Sequence, residues 1–268
     1  MPSDKEKAES LISTGSEIAG TATGGAIGFL AGGPGGAAVG GALGVVISKG
    51  TIKLLSDISN RVLSKREEIR IGATAAFALM KIKSHLDDGA VPRKDGFFDY
   101  MGKKRSNAEE VFEGVLLKAK NEHEEKKAEF LGNIYANIAF FPGFSVGEAN
   151  HLLQIAGNLT YRQMCILSLI EKKAQIQGIE LKEKSYREVR ESVLYETISI
   201  LQETHGLHNL GLIVSKTNSQ KTTAVLFGWV DIAPNRLSLT PMGKRYWEIM
   251  ELHDIPEQDL EELARYLS

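Results

Sequence analysis

GTATGGAIGFLAGGPGGAAVGGALG, residues 20–44, places a glycine at every fourth position: Gly20, Gly24, Gly28, Gly32, Gly36, Gly40 and Gly44. Ser16 and Ser48 continue the row of small residues, and nothing between Glu17 and Lys49 is charged. The residues between the glycines are mostly Ala, Ile, Leu, Val and Phe, so the stretch does not read as a flexible linker, whose spacers are usually polar. It also lacks the Gly-Lys-Ser/Thr ending of a phosphate-binding loop. The remaining reading is close helix packing, because glycine at this spacing removes the side chains from one stripe and lets backbones approach.

Energetics then specify the environment. The stretch holds eleven glycines, each costing roughly 1 kcal/mol against alanine inside a helix. An isolated helix of this composition is unstable in water. In lipid the backbone must satisfy its own hydrogen bonds, which enforces helix, and a protein groove could do the same. The uncharged run 18–48 would extend about 46 Å as one helix, against about 30 Å of hydrocarbon. A four-residue step also rotates about 40° past a full turn, so six steps drift about 240°. One straight helix cannot keep all seven glycines on one face, whereas two arms can. Gly32-Gly33-Pro34-Gly35-Gly36 is the natural break. The expectation is a helical hairpin or broken helix that inserts conditionally. Its glycines would form the packing contacts, and Ile27, Phe29, Leu30, Leu43, Val45 and Val46 would meet lipid.

Charge is distributed unevenly around this segment. The net charge is −2, yet residues 1–48 carry −2, 49–106 carry +6, 107–160 carry −4 and 161–268 carry −2. The basic block directly follows the glycine row. Lys49, Lys53, Arg61, Lys65 and Arg66 are therefore candidate contacts for anionic lipid. They lie outside the apolar stripe Ile52, Leu55, Ile58 and Val62, and they equally suit a solvated helix face. Charged residues before the apolar run do not fit a secretory leader. The single cysteine, Cys165, excludes an internal disulfide framework. The expected location is the cytoplasm, with conditional association with the inner membrane.

The rest of the chain reads as a helical body, 49–158, followed by a distinct module, 159–268, which makes the fold class mainly α with a C-terminal α+β part. Residues 49–88 suggest a helix pair or one long helix, and Asp87 to Gly96 a loop. Capping patterns Ser106-Asn-Ala-Glu109, Ser145-Val-Gly-Glu148, Thr160-Tyr-Arg-Gln163 and Ser185-Tyr-Arg-Glu188 predict four helix starts. The first of these helices is expected to run over 107–140, the third to end near Gly178, and the fourth to cover 185–204. The β-branched and aromatic run 222–232 and Arg236-Leu-Ser-Leu239 predict strands. Thr240-Pro241 predicts a further helix start, and Ile255-Pro256 another.

Leu207, Leu210, Gly211, Leu212 and Ile213 followed by Leu237-Ser-Leu-Thr-Pro-Met-Gly243 resemble the end of a recognition-type helix and the return from the wing of a winged-helix module, over about 160–253. Such a module binds DNA or protein. Helix 185–204 mixes Arg187 and Arg190 with Glu188, Glu191, Glu196 and Glu203, whereas a phosphate-reading surface needs net positive charge. Protein contact is the expectation and nucleic acid is not.

No enzyme is expected. Glu148-Ala-Asn-His151 is a single Glu-x-x-His, where a carboxylate-bridged di-iron bundle needs two. His205 and His208 lack cysteine partners and lie at a helix end, where a loop pair and not a zinc site is expected. Cys165 lies among Met164, Ile166, Leu167 and Leu169, as a buried thiol does. No cofactor or metal is called for. As a whole the chain resembles abortive-infection-type bacterial effectors, and residues 16–48 are similar to glycine-zipper membrane domains. That resemblance implies a protein held inactive by its own body or by an inhibitory or sensing partner, which on a trigger forms a homo-oligomer in membrane lipid.

Overall fold

The computed structural model describes residues 54, 57, 58, 63–100, 102, 105–176, 178–189, 192–216 and 223–268. The glycine row, its apolar neighbours, and Lys49, Lys53 and Arg61 lie outside these residues. The described residues are mainly helical, with a small antiparallel sheet near the C-terminus. They fall into two compact units, one ending at Asn158 and one running from Leu159 to Ser268.

In the first unit Leu54, Asp57 and Ile58 are helical and Ile58 is buried. The alternative of a single long helix over 49–88 is corrected by Ser64, an extended residue that caps α1, Lys65–Asp87. Its hydroxyl accepts from Glu67 N, and Glu67 returns a carboxylate oxygen to Ser64 N at 2.7 Å. Two backbone donors that the first turn orphans are thereby satisfied. Along α1 the residues Ile69, Ile71, Ala73, Ala75, Ala76, Phe77, Ala78, Leu79 and Ile82 are all buried, so the helix runs through the centre of the unit.

Two helices pack on α1 in place of the single one expected over 107–140. α2 is Asn107–Asn121, α3 is Ala128–Ile138, and a 3₁₀ turn, Glu125–Lys127, precedes α3. The charged run 122–127 is therefore an elbow and not a helix face. Glu122 is extended at the end of α2, and its carboxylate accepts from His123 N, Glu124 N and the buried ammonium of Lys127. These bonds replace the helical ones lost at the break. The buried stripe Phe130, Leu131, Ile134, Tyr135 and Ile138 is as predicted. α4, Val146–Asn158, completes the unit, with Ser145 and Glu148 exchanging cap bonds as expected.

In the second unit Thr160 caps α5, Tyr161–Lys172, with the predicted Gln163 partner; the helix stops short of Gly178. The helix expected at 185–204 is corrected most. Ser185 heads only a 3₁₀ turn, Tyr186–Glu188, because Val189 is extended and Tyr186 is buried, donating its hydroxyl to Tyr266 O. The helix, α6, is Tyr195–Asn209. It leads through Gly211, at φ 71, into β1, Ile213–Lys216.

The strand expected over 222–232 shrinks to β2, Thr223–Ala224. Asp231 accepts from Phe227 N and Gly228 N and curls the following residues into a 3₁₀ turn, Trp229–Asp231. β3, Leu237–Leu239, covers the second expected strand except Arg236, which ends a 3₁₀ turn, Pro234–Arg236. The sheet order is β2-β1-β3, with Ser215 opposite Ala224 on one side and Leu237 on the other. Thr240 caps α7, Pro241–Met250, and α8, Glu257–Ala264, follows Pro256.

Candidate functional surfaces

Of the residues that the sequence assigns to membrane contact, Lys65 and Arg66 are described. Both are exposed on the first turn of α1. Arg66 Nη1 lies 2.7 Å from Glu125 Oε1 on the elbow, and Lys120 Nζ lies 3.6 Å from Glu67 Oε1. The Ser64 hydrogen bonds hold the Glu67 carboxyl below the usual carboxylate range, with Lys120 adding to the effect. This turn is thus pinned by two pairs of opposite polarity, one to the elbow at Glu125 and one to the last turn of α2 at Lys120. No helix among the described residues is long and apolar enough to cross a membrane.

The second surface belongs to the C-terminal unit. Here α6 turns its acidic residues toward α5: Arg162 binds Glu196, Ser199 and Glu203, and Thr160 Oγ1 donates to Glu203. Arg187, expected on that helix, sits on the turn before it and pairs with Asp231 at 2.7 Å. Apolar side chains stand open nearby in sequence: Leu194 and Tyr195 at the start of α6, the latter 92% exposed, and Val225 and Phe227 after β2, the latter 84% exposed. Leu226 between them is buried, so the strand alternation persists past β2. Sequence reasoning missed this exposure. A β-branched and aromatic run predicts a strand without showing which of its faces is covered.

The titratable groups assemble no reaction centre among the described residues. His85 hydrogen-bonds Asn137 at 2.6 Å and lies against the Phe140 ring. His205 and His208, expected in a loop at the helix end, occupy the last turns of α6 with their rings stacked, and His205 meets Leu226 O. Cys165 is buried, as expected. Burial, reinforced by a hydrogen bond to Asp259, raises the Tyr161 hydroxyl above the ordinary tyrosine value. Burial and the nearby Lys216 lower Lys173, whose ammonium donates to Asn235 O and Leu237 O and so joins α5 to the entry of β3.

Two groups, Glu122-His123-Glu124 and Glu251-His253-Asp254, bring possible metal-ligand atoms within 4.8 Å of one another. In the first the Glu122 carboxylate is already engaged by Lys127 and two amides. A cavity of about 10 Å³ between Ile166, Leu169, Leu201, Leu237 and Leu267 is apolar and is no larger than a single water. No family model, no curated protein and no solved structure matches this chain.

Proposed function

We propose that the protein is a membrane-active, non-enzymatic effector that oligomerises through the glycine row and permeabilises the inner membrane, acting in bacterial anti-phage defence. The observation that carries this reading is the unbroken four-residue glycine spacing inside an uncharged run of 31 residues, followed at once by the basic block. Glycine at that spacing suits backbone-to-backbone packing in lipid, and the basic block suits an anionic cytoplasmic leaflet. Low hydropathy of the glycine-rich run makes insertion conditional, so the protein resides in the cytoplasm until a trigger releases it.

The test is dye leakage from anionic liposomes. Replacing Gly28 and Gly40 with Leu fills the packing stripe while raising hydropathy. The double variant is expected to lose leakage and toxicity while the body keeps its melting temperature. Undiminished leakage would exclude glycine packing as the mechanism.

A second reading draws on the open Tyr195 and Phe227. In it the winged-helix-like module contacts a protein partner, and the chain is a soluble interaction protein. Membrane fractionation with and without residues 16–48 separates the two. A chain that stays soluble under every trigger favours the second reading, and a strongly salt-dependent duplex signal would redirect it toward DNA.

A further inference from the structure

The Arg66–Glu125 pair links the basic block to the folded body, and its surroundings give it a regulatory character. Arg66 projects from the first turn of α1 with its side chain 65% exposed, so its outer face is open to solvent. Its partner is held in place from behind. Glu125 opens the 3₁₀ turn ending at Lys127, and Lys127 is buried on Glu122. Beside this pair runs a second one of reversed polarity, Lys120 with Glu67, and Glu67 is fixed again by the Ser64 cap. The first turn of α1 therefore presents a cation to the elbow, at Glu125, and an anion to the last turn of α2, at Lys120.

We infer that Glu125 acts as an internal stand-in for an anionic lipid headgroup, masking Arg66 until a membrane surface competes for it; this rests on the membrane-active reading above. The chemistry is shared. A guanidinium binds the paired oxygens of a carboxylate or of a phosphate with the same donors. An exposed ion pair and a basic side chain near an anionic leaflet are stabilised to similar degrees. The exchange is therefore close to balanced, and the density of anionic lipid can tip it. Because Arg66 is itself one of the cations of the basic block, opening the pair frees that cation for the membrane surface.

The experiment uses full-length protein and co-sedimentation with vesicles of phosphatidylcholine, alone or mixed with phosphatidylserine. Glu125→Gln is expected to bind the mixed vesicles about threefold more tightly than the parent chain and the neutral vesicles no differently. In an Arg66→Gln background the same substitution is expected to give no gain. Both positions are on the surface, and equal thermal melts establish that the variants fold. An unchanged Glu125→Gln overturns the inference. So does a gain that survives in the double variant, since that reflects net charge and not release of Arg66.

Inorganic phosphate at matched ionic strength is expected to displace the protein from vesicles no better than chloride. Specific displacement by phosphate would overturn the lipid assignment in favour of a soluble anion. Leakage measured on the same samples separates the two proposals. Leakage without a Glu125→Gln gain removes the masking alone. A gain that depends on Arg66, without leakage, supports the masking and removes permeabilisation. Absence of binding by every variant removes both.

Discussion

A Cβ placed on Gly243 would lie 1.9 Å from the carbonyl oxygen of Leu212. The first turn of α7 thus rests directly on the backbone that enters β1. The same oxygen accepts from Thr240 N at 2.9 Å, while Thr240 Oγ1 accepts from Gly243 N and donates to Gly211 O. Cap, glycine and strand entry form one joint. Gly243→Ala cannot be absorbed by a rotamer change, because the obstacle is backbone. It is expected to destabilise the C-terminal unit by about 3 kcal/mol or more, read as a fall in the urea midpoint. Thr240→Ala is expected to cost about 1–2 kcal/mol and Thr240→Ser much less. A Gly243→Ala chain that melts like the parent would show that the close approach does not exist.

In the first unit Gly132 plays a related part. A Cβ there would sit 2.7 Å from Thr74 O and 2.9 Å from Ala78 N, both backbone atoms of α1. Gly114 in α2 differs, since its Cβ would meet only the Leu153 Cδ1 at 2.9 Å, the mobile end of a side chain. Alanine improves helix propensity at both sites by roughly 1 kcal/mol. Gly132→Ala is nevertheless expected to lose about 1–3 kcal/mol, and Gly114→Ala to be neutral or slightly stabilising. Chemical denaturation of the pair checks this, and equal responses would exclude backbone contact between α1 and α3.

These two glycines also mark what the sequence makes legible. Thr240-Pro241 and the boxes at Ser106, Ser145 and Thr160 are readable because capping is settled within four residues. Ser185 carries the same pattern, and its hydroxyl does meet Glu188. No α-helix follows, because the fate of that stretch is set by Tyr186 reaching the distant Tyr266. The elbow at 122–127 is hidden for a similar reason: a charged run resembles a solvated face until Lys127 is seen buried on Glu122. Ala128, Gly132 and Ala136 repeat the four-residue small spacing of the glycine row inside the body. Of the residues proposed to contact lipid headgroups, Lys65 and Arg66 are the ones with a described position.

Tyr195 and Phe227 are open to solvent and contribute little to the core. Replacing both with Ser is expected to change stability by less than about 0.5 kcal/mol. A partner that docks on this part of the C-terminal unit would lose affinity in the same variant. A lowered melting temperature would show that the two rings are packed and would remove the surface as a docking candidate.

Arg93 is the most heavily bonded side chain of the loop after α1. Its guanidinium grips Asp95 with two nitrogens, donates to Phe144 O at 2.8 Å and Ile138 O at 3.3 Å, and lies 4.5 Å from the centre of the Phe97 ring. Arg93→Met leaves those carbonyls without this donor and is expected to cost about 3 kcal/mol. Arg93→Lys keeps the charge without the planar fork and is expected to fall between the two. The hydrogen bonds from Arg93 hold the Asp95 carboxyl below its ordinary value. A carboxyl depressed in the folded state stabilises above its unfolded value of about 3.9 and loses that contribution as pH falls through the folded value. Asp95 is partly exposed, so the effect is screened and small. Asp95→Asn should accordingly narrow the gap between urea midpoints at about pH 6 and about pH 3. If the gap is unchanged in Asp95→Asn, the Arg93–Asp95 pair does not couple the loop to pH.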